Sequence, residues 1–183
     1  FSNRFHGTTV RLLVSDPGFV CEMSHIYVKA VQAMGLPYTP DFNQGNPSGV
    51  GYLQMTAGQG RRCSAVDAFL QPLAGDDRLQ VVTGAQVRRI LIENRRAVGV
   101  EYVRRGATQV ARADGEVLLA AGAFVSPQLL MLSGVGPADQ LRGFGLPVVA
   151  DLPGVGMNLQ DHAGAPLIAR AGGSLGYHRQ DRG

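Results

Sequence analysis

The residues best suited to chemistry lie in one short run, Ala121-Gly122-Ala123, followed at Ser126-Pro127 by a helix start. A small-residue turn after a buried strand lets backbone N–H groups approach a ligand, and the next helix offers it a positive N-terminus. The same residues equally suit a tight strand-to-helix turn that serves packing alone. Ser133-Gly134-Val135-Gly136 and Gly154-Val155-Gly156 each contain Gly-x-Gly. Neither reaches the third glycine of the dinucleotide fingerprint, so both read as turns. The histidines His6, His25, His162 and His178 have no spacing that suggests a metal site or a triad. His25 flanks an apolar helix stripe and reads as a surface residue. Asp161-His162 could form an orienting hydrogen bond that tunes the imidazole, or a purely structural loop pair. Ser64, Ser126 and Ser133 lack the Gly-x-Ser-x-Gly elbow of a hydrolase. Cys21 and Cys63 belong to no Cys-x-x-Cys or Cys/His ligand spacing and read as reduced structural thiols, with a single disulfide as the alternative. No complete catalytic set and no metal site is expected.

The elements that must position these residues follow from periodicity. Met23, Ile26, Tyr27, Ala30, Val31 and Met34 fall on one face of a helix that Gly35 and Pro37 end. Residues 37–51 (PYTPDFNQGNPSGVG) are dense in Pro, Asn and Gly and should form an ordered, irregular surface loop. A short helix is expected over 64–70, with Ser64 and Asp67 in capping-box register. From Leu79 the pattern turns to strands: LQVV (79–82), VRRILIE (87–93), AVGVEYV (97–103) and a third run around Val110, an antiparallel meander. EVLLAAGA (116–123) is a near-continuous apolar run, which suits a strand buried on both faces of a parallel sheet. It leads to a helix that Ser126 can cap and Pro127 can begin. A second helix start follows at Pro137, and LPVVADLPGVG leads into Asn158-Leu159-Gln160-Asp161-His162.

Composition sets the outer bounds. The chain has 183 residues, 45% of them hydrophobic, enough to bury roughly 70% of its unfolded surface as a compact domain and too many for overall disorder. Its 25 glycines and 10 prolines argue against an all-helical bundle. No apolar run approaches the roughly 18–20 residues that span a bilayer. Phe1 to Gly7 carries neither an initiator Met nor a signal-peptide core, so the chain reads as the interior of a longer one. Net charge is +3, and Lys29 is the only lysine among the 17 basic residues. The Arg pairs at 61/62, 88/89, 95/96 and 104/105 lie on different elements without interleaved aromatics, which reads as a solvated surface and not as a nucleic-acid site. The alternation of loop and helix, then meander and buried strand, then irregular chain suggests two layers or domains visited in turn.

With these elements in place, GAFVSPQLLMLSGVG (122–136) resembles the second signature of the glucose-methanol-choline (GMC) flavoprotein oxidoreductases. Gly122, Ala123, Ser126, Pro127, Leu129, Leu130, Ser133, Gly134, Val135 and Gly136 all fit it. GLPYTPDFN (35–43), GVGYLQ (49–54), GRRCSA (60–65), TGAQVRRI (83–90), AVGVEY (97–102) and LPGVGMNLQDH (152–162) are similar to the choline or alcohol dehydrogenase branch. Val125 departs from a position where the family usually has Gly, and the match fades after Ala169. The resemblance implies an α/β (α+β) fold, in which part of an FAD-binding Rossmann-like domain carries the antiparallel meander and is joined to part of a substrate domain. Residues 1–78 would be a substrate-domain or lid portion, 79–150 the FAD-binding portion, and 151–183 the start of a second substrate-domain segment. Val87 would lie where a backbone group meets the flavin adenine. Ala121, Gly122 and Ser126 would line the same cofactor at the end of the buried strand. The loop over 35–54 and the chain after His162 would contribute to the side that meets a small-molecule substrate, a primary alcohol or polyol.

Two motifs that the family needs are absent from these residues: the Gly-x-Gly-x-x-Gly pyrophosphate cradle and the catalytic His with its His or Asn partner. The chain is therefore expected to be a central portion of an FAD-dependent alcohol oxidoreductase, inert by itself, and His162 is not promoted to fill the vacancy. A stand-alone binding module that reuses the fold is the competing reading. The expected location is cytoplasmic, with peripheral membrane association open to the complete enzyme if its acceptor is a quinone, although no amphipathic anchor here argues for it.

Overall fold

In a computed structural model of the chain, the described residues are 11–166, with residues 7 and 168. They divide between Leu79 and Gln80 into two compact units. Mixed helices and antiparallel strands build them.

In the first unit, helix α1 (Glu22–Ala33) forms where the apolar stripe places it. Gly35, at φ 97°, closes it: its N–H donates to the Gln32 carbonyl at 2.9 Å and the Leu36 N–H to the Val31 carbonyl at 3.4 Å, a Schellman ending. The inward residue is Val28, while Met23, Ile26, Tyr27 and Met34 of the stripe remain exposed. The helix thus forms over the expected residues, but Val28 lies off the stripe, and the burial the stripe implied is not made among the described residues. The following loop is ordered, as its composition suggests. Thr39 and Val50 close it, the Thr39 N–H donating to the Val50 carbonyl and the Val50 N–H to the Pro37 carbonyl, each at 2.9 Å. The buried Thr39 hydroxyl donates to the Ser48 carbonyl at 2.6 Å. Asp41 and Asn46 accept from backbone N–H groups two residues on, the Asx turns expected of these residues.

Strands β1 (Ala57–Gly58) and β2 (Arg61–Arg62) form a hairpin whose turn residues Gln59 and Gly60 both have positive φ, as a type I′ turn requires. Cys21 and Cys63 are both buried, and neither is in a disulfide. Cys63 Sγ accepts from the Leu13 N–H at 3.4 Å and donates to the Arg11 carbonyl at 3.7 Å, stitching the residues before α1 to the hairpin. In place of a regular helix over 64–70, Val66–Leu70 winds as one wide π turn and Gln71–Leu73 as a tight 3₁₀ turn. Pro72 has no N–H with which to continue an α ladder.

The capping box does form. The Ser64 hydroxyl and its N–H, at 2.8 Å, donate to the Asp67 carboxylate, and the Asp67 N–H donates back to Ser64 Oγ at 3.3 Å. The Ser64 hydroxyl first, and then its backbone N–H, hold the Asp67 carboxyl below its ordinary 3.8. A depressed folded pKa means that this stabilisation is present above the unfolded value and is lost as pH falls through the folded one. The Ser64 amide resonance is expected to titrate with a midpoint below 3.8, and Asp67→Asn to abolish that titration; a midpoint at or above 3.8 would contradict the assignment.

The second unit holds the meander: β3 (Ala85–Glu93), β4 (Arg96–Arg104) and β5 (Ala107–Arg112), antiparallel in the order β3-β4-β5. Asn94-Arg95 and Arg105-Gly106 make its two turns, all four residues at positive φ. Residues 79–82 form no strand, and β3 begins only at Ala85. Two bulges interrupt the β3/β4 ladder. Val87 pairs with Tyr102 and Arg89 with Glu101, leaving Arg88 extra; Leu91 pairs with Gly99 and Ile92 with Ala97, leaving Val98 extra.

Beyond β5 the expectation of a doubly buried strand fails. Residues 116–121 make no strand, and Leu118 is 81% exposed. A parallel strand exists only by pairing with neighbours on its edges, and none lies beside this segment among the described residues. Helix α2 (Gly122–Leu132) follows directly and then β6 (Val135–Gly136), α3 (Ala138–Gly143) and β7 (Ala150–Asp151), with β6 and β7 parallel. Asp151 accepts the first N–H of α3, from Ala138, at 3.0 Å. Leu141, 1% exposed, is the most deeply buried residue of α3; Ile90, Leu129 and Ala138 are the other buried apolar side chains described in this unit.

Candidate cofactor site

Both ends of α2 matter. At its start Gly122 has φ 85°, a conformation that a side chain resists, and the position of a Cβ there is open for 4 Å around. The helix begins at Gly122, five residues before the expected Pro127. Ser126 therefore reaches back, accepting the Ala121 N–H at 3.1 Å, and does not cap the first turn from outside. Pro127 sits inside the helix, where it removes the bond to the Ala123 carbonyl. Beside this end lies an open cleft of about 520 Å³, lined by Phe124, Pro127, Met131, Met157, Asn158 and Leu159 among others. Phe124 is 75% exposed. Asn158 holds φ 57°, the left-handed conformation Asn tolerates best among side-chain-bearing residues.

At the other end, buried Ser133 joins helix to sheet. Its hydroxyl donates to the Leu129 carbonyl at 2.5 Å and accepts the buried Ile90 N–H at 2.8 Å. Ser133→Ala would leave that N–H without a partner, a loss of about 1–3 kcal/mol. Urea unfolding is expected to show a lowered midpoint and an unchanged slope; an unchanged midpoint would mean that the bond contributes nothing net.

The Ile90 bond also defines an edge. An N–H that points to α2 points away from β4, so Ile90 opposes Val100 in a pair without ladder hydrogen bonds. The bulge makes Arg88 and Arg89 together oppose one residue, which brings Val87, three positions before Ile90, onto the same face and the same outer edge. The Val87 backbone thereby faces outward from the sheet. Arg88 and Arg89 share the opposite face. There Arg89 is paired with Glu101 at 2.8 Å, and the hydrogen bond to that carboxylate raises the guanidinium pKa above its ordinary value. Arg88 is exposed, and its side chain makes no hydrogen bond or ion pair among the described residues.

Of the four residues singled out, Ala121, Gly122 and Ser126 come together at the start of α2. Val87 stands on β3, and the hydrogen bond tying β3 to α2 lies at Ser133, roughly 18 Å along the helix from Ala121. Asp161 does not orient the His162 ring; it accepts the His162 backbone N–H at 2.7 Å. His6 and His178 lie outside the described residues. His25 is exposed, and its Nδ1 is 2.5 Å from the Tyr52 hydroxyl, with the rings edge-to-face. That pair adjoins a cleft of about 370 Å³ against α1 in the first unit. In the sequence Arg88 reads as one of a solvated surface pair, and Gln54 carries no assigned role. The signal for Arg88 was present, since two charged residues between Val87 and Ile90 break the strand alternation as a bulge does. Gln54 donates to Asp16 at 3.2 Å and to the Pro40 carbonyl at 2.9 Å, bracing the 37–51 loop, and no spacing announces that role. Among the described residues no group of His, Cys, Asp or Glu could hold a metal ion, and no helix is long and apolar enough to cross a membrane.

A class of protein is defined at this point. Residues 11–164 match the family described as GMC oxidoreductase, and the chain belongs to that family. It is 44% identical over 161 residues to human mitochondrial choline dehydrogenase, covering 88% of this chain and 27% of that protein. It is 40% identical over 171 residues to alcohol dehydrogenase [acceptor] of Pseudomonas putida, covering 92% and 31%. Among solved structures, an FAD-dependent oxidoreductase from Chaetomium thermophilum superposes with a TM-score of 0.78 at 27% identity, covering 84% of this chain and 27% of that one. The chain thus spans less than a third of the length of these relatives.

Proposed function

We propose that this chain is a central part of an FAD-dependent oxidoreductase that oxidises a primary alcohol or polyol of the choline class to the carbonyl. The observation that carries the reading is the run Gly122–Gly136: it both resembles the family's second signature and forms the element that holds Gly122 open at one end and docks on β3 through Ser133 at the other. Relatives named as choline and alcohol dehydrogenases support the substrate class.

The residues present fit part of FAD. Two features suit an adenine and its ribose, the outward Val87 backbone and the open position at Gly122. No Gly-x-Gly-x-x-Gly stands among the 183 residues to hold the pyrophosphate. Bound FAD would accept the hydride that leaves the alcohol carbon. The part played by this chain is to line the adenine side with Val87, Ala121 and Gly122, to set the start of α2 through Ser126, and to present the 35–54 loop to substrate. No residue here is assigned as the base, so the chain alone is expected to be inert. Alcohol-dependent dye reduction by the purified chain with added FAD tests this. A blank is expected, and turnover would overturn the partial-site reading. In the encoding DNA, an upstream in-frame Gly-x-Gly-x-x-Gly and a downstream His-containing block are expected; start and stop codons at the ends of this chain would instead favour a non-catalytic binding module.

A further inference from the structure

We infer that Arg88 is a stacking residue, its guanidinium covering the face of an adenine whose edge meets the Val87 backbone. The inference rests on the adenine-side reading above and adds to it a named side chain and a mode of contact.

Three observations carry it. The bulge places Arg88 as the extra residue directly after Val87, and bulges re-aim side chains where a strand terminates pairing or borders a site. The same bulge puts the Val87 N–H and C=O on the outer edge of β3, where no strand among the described residues pairs with them. The two arginines at this point are treated differently: Glu101 neutralises Arg89 at 2.8 Å, whereas Arg88 is exposed and without a side-chain hydrogen bond or ion pair among the described residues. A planar heteroaromatic ring hydrogen-bonded edge-on to Val87 would lie one residue from a free planar cation. Guanidinium groups stack on such rings and are weakly hydrated enough to do so at little cost. Phosphate contact is the rival role for the same cation, and it separates cleanly, because adenosine has the ring and no phosphate.

The experiment is titration of the chain with adenosine, followed by saturation-transfer NMR on the adenine protons, in the parent, Arg88→Ala, Arg88→Lys and Val87→Pro. Proline is tolerated on an outward edge position, and it removes the Val87 N–H. Amide spectra of β4 and β5 report that each variant keeps the sheet. Arg88→Ala is expected to weaken adenosine binding about five- to tenfold, in line with base stacking. Arg88→Lys is expected to weaken it nearly as much, since it keeps the charge and loses the plane. Raising the salt concentration is expected to leave the effect in place. If Arg88→Ala binds adenosine like the parent while Val87→Pro does not, the stacking role falls and the adenine placement stands. If Arg88→Lys restores parental affinity, charge and not stacking is the contribution, and the inference falls. If the parent shows no adenosine binding, or Val87→Pro binds as the parent does, the adenine placement falls and takes the inference with it.

Discussion

Gly99→Ala should cost this protein about 3–5 kcal/mol, a large part of the roughly 5–15 kcal/mol that holds a domain together. Gly99 is at φ 152° and buried, and a Cβ built on it would lie 2.3 Å from the Ala111 carbonyl oxygen and 3.1 Å from the Arg112 Cα. Both neighbours are backbone, so no rotamer change relieves the clash; β5 must move away from β4, and with it the six-residue pairing from Gly99–Arg112 to Arg104–Ala107. Overpacking in a site that can adjust costs only about 1–3 kcal/mol, and the positive φ adds to that. Urea unfolding followed by far-ultraviolet circular dichroism is expected to show a strongly lowered midpoint, with fast amide exchange through β4 and β5. A midpoint within experimental error of the parent would mean that the β4 bulge is not held as described. The consequence reaches the candidate site, because the Val98 bulge beside Gly99 and the Arg88 bulge together set the β3/β4 register that turns Val87 outward.

What could be read in the sequence, and what could not, divides along a physical line. Local signals were legible. Helix α1 ended where Gly35 offers a left-handed residue, the Ser64/Asp67 box formed, and the meander appeared as β3, β4 and β5. Each depends on residues within a few positions of one another. Signals that depend on partners far away, or outside these residues, were not. The run 116–123 has the composition of a doubly buried strand, but composition cannot supply the flanking strands, and Leu118 stands exposed. The stripe on α1 reads as a buried face for the same reason, yet Met23, Ile26, Tyr27 and Met34 stand exposed and the buried residue of the helix, Val28, lies off the stripe. Of the candidate site, the start of α2 was legible because its small residues are consecutive. The hidden part was the edge. Only the pairing of Val87 with Tyr102 and Arg89 with Glu101 reveals that Val87 and Ile90 share a face, and the Arg88-Arg89 doublet that encodes it also reads as ordinary surface charge.

Gly51→Ala is the corresponding test of the first unit, and its expected result is loss of the 37–51 loop at a cost of about 3 kcal/mol or more. A Cβ at Gly51 would meet the Thr39 carbonyl oxygen at 2.0 Å and its carbonyl carbon at 3.1 Å. Thr39 cannot yield, because its N–H is bound to the Val50 carbonyl at 2.9 Å and its hydroxyl to the Ser48 carbonyl at 2.6 Å. Gly51 has no positive φ, so the whole effect is steric; Gly49, at φ 135° and with Thr39 Oγ1 2.1 Å from its Cβ position, combines both penalties. The comparison is therefore diagnostic. Thr39→Ala deletes the hydroxyl, which relieves the 2.1 Å contact at Gly49→Ala but not the Pro37 carbonyl oxygen 2.5 Å from the same Cβ position, and leaves the backbone contact at Gly51→Ala untouched. Unfolding midpoints of the two double variants are expected to recover partly for Gly49→Ala and not at all for Gly51→Ala. Equal recovery would show that the Thr39 carbonyl does not press on Gly51. Because this loop is the part of the chain proposed to face substrate, a Gly51→Ala variant with intact loop amides would also remove the case that its shape is fixed before substrate arrives.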